Sequence, residues 1–206
     1  MEVTFVDRED WGFGWKVEET LQRTSHALLA DGGVWLVDPV DHPGLDDRVC
    51  ALGVPAGVIQ LLDRHGRDSA ALAGRYGVPL HEVPRGDVGP FELVQLVRNR
   101  FWREAVLWWP ERRVLVVADA LGTIPYFTAG DEPVGVHPLL RFTPPKALAA
   151  LDPEHVLVGH GPGVHADATA AVCDAIRTSR RRAPGALLGI VRAGVARRRA
   201  RRGAGR

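Results

Sequence analysis

Short apolar runs broken by glycine, proline and acidic residues fill the first half of the chain, and their period switches between two and three to four. Residues 13–19 and 26–37 read as strands, with Asp31-Gly32-Gly33 as a turn, because each apolar run is short and bounded by turn residues. Residues 43–52 read as a helix, with Pro43 in its first turn and Gly53 just past its end. A short strand follows at 58–62, a helix at 68–76 closed by Gly77, and another strand at 78–83.

Residues 91–117 are strand-rich, and a regular strand there places Trp108 and Trp109 on opposite faces. Beyond it, 143–151 reads as a helix, 155–158 as a strand and 166–180 as a helix. The proline and glycine positions between 122 and 138 predict a long surface loop. Strands that alternate with helices predict an α/β chain whose sheet is covered by helices on one face, and no internal repeat is present.

Composition adds little to this except at one end. With 206 residues, 46% hydrophobic and 25% charged, the chain suits one globular domain with a proper core. The net charge of +1 conceals an asymmetry: residues 177–206 hold 11 arginines and no acidic residue, against 15 basic and 25 acidic side chains in residues 1–176. We therefore divide the chain into a domain at 1–183 and an arginine-rich basic tail at 184–206. Leu188, Val191 and Val195 fall on one helical face of that tail, so an anionic membrane surface or a nucleic acid is its candidate partner, beside a merely solvated tail. The first residues lack the basic region and apolar run of a leader, which makes a cytoplasmic location the expectation. Cys50 and Cys173 have no partner at metal or redox spacing and read as small buried hydrophobes.

Four ordered segments carry a resemblance. Ala27 to Pro39 forms a hairpin ending in Asp38-Pro39; Leu61-Leu62-Asp63-Arg64-His65-Gly66-Arg67-Asp68-Ser69 follows a strand; Ala118-Asp119-Ala120-Leu121-Gly122 follows a hairpin; and Val158-Gly159-His160-Gly161-Pro162-Gly163 closes the set. Together they resemble the metallo-β-lactamase-like hydrolases, over roughly residues 25 to 175. The resemblance implies a four-layer αββα sandwich. It also implies a two-metal site whose H-x-H-x-D-H loop, aligned on Asp68, has Arg64, Gly66 and Ser69 in place of histidines. A fourth family histidine falls nearest Arg100, while Asp119 matches the metal-bridging aspartate and His160 the terminal ligand turn.

That pattern sets the chemical expectation. Asp68, Asp119 and His160 hold at most one ion, and His65, at a spacer position, is expected to point away from them. An arginine neither coordinates a cation nor loses its charge, so Arg64 or Arg100 beside Asp68 or Asp119 predicts ion pairs in place of metals. The first reading is thus a non-catalytic binding or regulatory module with no cofactor, whose pocket of Arg64, His65, Asp68, Arg100, Asp119 and His160 takes a small, anionic ligand. The alternative is a hydrolase of esters, thioesters or phosphoesters with one zinc or other divalent ion at Asp68, Asp119 and His160. A third is an adaptor acting through its tail. His26, His42, His81, His137, His155 and His165 are scattered singly and read as structural.

Overall fold

The structure, a computed structural model, describes residues 1–186. Six strands lie side by side in chain order: β1 (Val3–Glu9), β2 (Gly12–Val17), β3 (Thr24–Ala30), β4 (Gly33–Val37), β5 (Val54–Gln60) and β6 (Leu80–Glu82). Neighbours as far as β4 are antiparallel, but β4–β5 and β5–β6 are parallel. A parallel step needs a crossover, and α1 (Leu45–Leu52) and α2 (Ser69–Tyr76) supply the two. The second sheet contains β7 (Glu92–Asn99), β8 (Trp102–Trp109), β9 (Val114–Val117) and, beyond a ribbon of β10 (Leu121–Gly122) with β11 (Gly135–Val136), β12 (His155–Val158). It is ordered β12-β9-β8-β7 and followed by α3 (Ala168–Thr178).

Alternating side chains explain why these elements stack in four layers. Val114, Val116 and Leu157 face the first sheet, where they meet Leu28, Ile59 and Leu61. Leu115, Val117, Val156 and Val158 turn the other way, onto Val172, Ala175 and Ile176 of α3. On the far side of the first sheet, Leu45 and Val49 of α1 and Leu72 of α2 pack on Trp15, Leu36 and Val58. A strand buried on both faces has no polar alternate positions, which is why Val114 to Val117 is an unbroken apolar run. Trp109 joins the inter-sheet core and Trp108 the α3 side, as period two requires.

Some expectations fail locally. Residues 143–151 form only a 3-10 turn at Lys146–Ala150, because Pro144 and Pro145 lack amide donors and bar helical backbone in the residues before them. Residues 122–138 are not a solvated loop: Phe127, Val134 and Val136 are buried, and Glu132 pairs with the fully buried Arg141 at 2.8 Å. Cys50 is exposed and Cys173 half-buried, so neither fills the core. Strand β1, where half-buried residues alternate irregularly with exposed ones, escaped the pattern reading altogether. The tail readings rest on residues of which 187–206 lie outside those described. Among the described residues no helix is long and apolar enough to cross a membrane.

Candidate metal centre

Four side chains stand just past the carboxyl ends of four strands. Asp38 follows β4, His65 follows β5, Asp119 follows β9 and His160 follows β12. Because β4 runs parallel to β5 and β9 to β12, these ends lie together within each sheet, and stacking of the sheets joins them.

His65, Asp119 and His160 are all buried, and one ligand atom from each lies within 4.8 Å of the others. Asp119 Oδ1 is 3.2 Å from His65 Nε2 and 3.0 Å from His160 Nε2. Despite these short contacts, this buried oxygen has no hydrogen bond of good geometry. The opposite ring nitrogens are committed. His65 Nδ1 donates to Asp38 Oδ2 at 2.9 Å, and His160 Nδ1 donates to the Leu21 carbonyl at 2.7 Å. A carboxylate and a carbonyl only accept, so Nδ1 carries a proton in each ring, and Nε2, the atom that faces Asp119, is the one an ion can reach once it gives up its own proton.

Electrostatics follow from this crowding. Burial opposes ionisation of Asp119, yet the contacts with His160 and His65 hold its carboxyl far below the ordinary range. Burial and the Arg67 charge push His65 down, but Asp38 and Asp119 outweigh them and its pKa is raised. Two imidazole nitrogens and a carboxylate oxygen facing one space fit a single borderline divalent ion. The Asp38–His65 pair is the outer carboxylate that fixes the tautomer of such a ligand.

Three further devices hold the cluster. Glu104, wholly buried on β8, accepts the backbone N–H groups of Asp119 and Ala120 at 2.9 Å each and the Trp102 indole N–H at 2.7 Å. Burial, aided by the charge on Asp119, pushes its carboxyl up to about 7. Arg67, at φ 41°, donates to the carbonyls of Thr24 (2.6 Å), Asp38 (2.8 Å) and Gly159 (3.2 Å), lacing both sheets together beneath the cluster. Glycine is required beside His160: a Cβ on Gly159 would meet the Ala118 carbonyl oxygen at 2.5 Å, and one on Gly161, at φ 96°, would meet Thr123 Oγ1 at 2.3 Å.

A cleft of about 820 Å³ opens on the cluster, walled by Phe101, Trp102, Tyr126, Phe127, His137 and Leu139. Arg64 lies at its rim, its guanidinium 4.6 Å from the Trp102 ring centre and its Nε 3.6 Å from Asp119 Oδ2. The sequence reading of Arg64, Asp119 and His160 thus corresponds to groups the structure brings together.

Three other residues are placed differently from expectation. Asp68 stands at the N-cap of α2, but its carboxylate accepts the Asp41 N–H at 2.8 Å and takes no part in the cluster. Arg100 is exposed in the β7–β8 turn, 5.6 Å from the Phe101 ring centre, and meets neither aspartate. His65 points into the cluster rather than away, because Asp38 anchors its other nitrogen. Aligning the loop on Asp68 caused both errors there; a shift of one residue in either direction puts His65 on a histidine position of the motif. Asp38, Glu104 and Arg67 were missed as site residues, although the Asp38-Pro39 turn was part of the resemblance.

The sequence matches no family model and no curated protein. Solved structures do match. DIM-1 metallo-beta-lactamase superposes with a TM-score of 0.60 at 12% identity, over 87% of this chain and 99% of that one. The chain has the metallo-β-lactamase fold. A metallo-beta-lactamase from Pontibacter korlensis gives 0.60 at 9% identity, over 85% and 99%. TTHA1623 in a di-iron-bound form gives 0.54 at 20% identity, over 75% and 96%.

Proposed function

We propose that the cleft is a hydrolytic site built on one divalent ion held by His65, Asp119 and His160, acting on an anionic ester, thioester or phosphoester. The observation that carries the proposal is the convergence of the Nε2 atoms of His65 and His160, each ring anchored through its Nδ1, on one buried Asp119 carboxylate oxygen. Bound there by three protein ligands, such an ion supplies Lewis acidity and lowers the pKa of a water toward neutrality.

The chain's own groups account for the rest. Arg64 carries a permanent charge at the rim, suited to an anionic group of the substrate. Aromatic walls displace water and strengthen every charge interaction inside. Burial lowers His137 to about 4, so it is neutral at pH 7, and its Nδ1 accepts the Leu139 N–H, which leaves Nε2–H to donate to a substrate oxygen.

The test is zinc or manganese titration of the purified chain with hydrolysis of nitrophenyl esters and phosphodiesters alongside. One equivalent of ion that the unaltered chain binds and that His65→Ala and His160→Ala each lose supports the site; a folded chain whose uptake neither substitution changes refutes it. A second reading, the non-catalytic pocket, is favoured by the Arg64–Asp119 contact at 3.6 Å, an ion pair at the place of the metal ligand. It requires anion binding without ion uptake.

A further inference from the structure

Strand β12 has a histidine at its start as well as one past its end. His155 opens it, and the chain returns through residues 161–167 to bring His165 alongside, with the two Nδ1 atoms 2.9 Å apart. The other nitrogen of His165, Nε2, donates to Asp7 Oδ1 at 3.1 Å. Asp7 lies at φ 52° in the irregular end of β1 with its side chain buried, and its Oδ1 also accepts the Gly163 N–H at 2.7 Å. A carboxylate cannot donate, so the proton of a neutral His165 is on Nε2 and a lone pair on Nδ1 faces His155. Glu9, two residues beyond Asp7, places Oε1 3.7 Å from that same Nδ1. The ligand atoms of Glu9, His155 and His165 lie within 4.8 Å of one another, and an edge-to-face contact with Trp11 at 5.3 Å holds the His155 ring.

We propose that Glu9, His155 and His165 form a second metal site for one borderline divalent ion such as Zn²⁺, Ni²⁺ or Cu²⁺, with Asp7 as the outer carboxylate that orients His165. Two imidazoles and one carboxylate are the donor set such ions take, and the partial exposure of the cluster leaves room for water to complete the coordination. Its neighbourhood differs from that of the cleft: His155 and His160 are five residues apart along an extended segment, about 16 Å at strand spacing. Its role follows from connectivity. β1 is an outer strand of the six-stranded sheet and β12 an outer strand of the four-stranded one, so an ion here clasps the edges of the two sheets.

The experiment uses the full chain with His65→Ala and His160→Ala, which removes the cleft ligands, and ZnCl₂ as the probe. One zinc equivalent in this background, lost when His165→Gln is added, together with a zinc-dependent rise in Tm that disappears with it, supports the clasp. Asp7→Asn keeps the stoichiometry and weakens affinity roughly 10- to 100-fold. No zinc in the folded background, or zinc retained after both His155→Gln and His165→Gln, overturns the proposal. Should the background variant not fold by circular dichroism, the unaltered chain is compared with His155→Gln/His165→Gln: loss of one equivalent supports the site and unchanged stoichiometry overturns it.

Discussion

The carboxylate of Glu104 accepts the amide N–H of Asp119 at 2.9 Å, so this candidate ligand is fixed through its backbone and not only through its neighbours' imidazoles. All three partners of Glu104 are donors, and among the described residues none of these N–H groups makes a second hydrogen bond. Glu104→Ala leaves buried N–H groups unpaired and is expected to lower unfolding free energy by about 2–4 kcal/mol. Urea denaturation reads the loss, and metal affinity falls with it. An unchanged midpoint means the Asp119 turn holds itself.

Asp38→Asn separates positioning from folding. Asparagine tolerates the left-handed backbone found at Asp38, φ 44°, so the turn survives. Leu61 N–H meets Oδ1 and His65 Nδ1–H meets Oδ2, however, and asparagine puts an NH2 group, which cannot accept, in one of those two places. Metal affinity is expected to drop roughly 10- to 100-fold by calorimetric titration, with the circular dichroism spectrum preserved.

Arg64 offers the contrasting case. It is exposed, and its ion pair with Asp119 is long, so Arg64→Ala changes stability by less than about 0.5 kcal/mol. What it removes is the charge at the cleft mouth. Affinity for anionic ligands falls while neutral analogues bind as before, and equal losses for both count against Arg64 as the anion contact.

For pH dependence the clean probe is His137, which burial lowers to about 4. A base whose folded pKa lies below its unfolded value, about 6.5, takes up its proton on unfolding. Its contribution is complete above about 6.5 and is lost as pH falls toward 4. Glu104, raised to about 7, acts in the opposite sense, so the comparison is by difference. Between pH 7 and 4, His137→Phe is expected to lose less stability than the unaltered chain; parallel profiles contradict a neutral His137.

Much of the architecture was legible because burial on two faces writes itself into β9 as an unbroken apolar run, and because glycines flank His160 where side chains would collide. Asp119 and His160 are legible through resemblance, because the turns Ala118-Asp119-Ala120 and Gly159-His160-Gly161 are like the ligand turns of the metallo-β-lactamase-like hydrolases. His65 is hidden because the motif also aligns on Asp68, three residues on, and because its anchor, Asp38, is distant in sequence. Arg67 and Glu104 have no local signature at all: Arg67 works through carbonyls as far away as Gly159, and Glu104 through amides on the next strand's turn. The pairing of His155 with His165 depends on how a loop returns, which spacing along the chain does not encode.

Arg67 gives the seam between the sheets a cation that is part of the chain. Three carbonyls from distant segments converge on it, so the seam between the sheets owes its closure to a charge that no chelator can extract. Ion supply and architecture are in this way separable: chelation strips the His65–Asp119–His160 cluster while the walls around it stay in place. Arg67→Met does the reverse, opening the seam at a cost of about 2–4 kcal/mol in urea denaturation, whatever ion is offered.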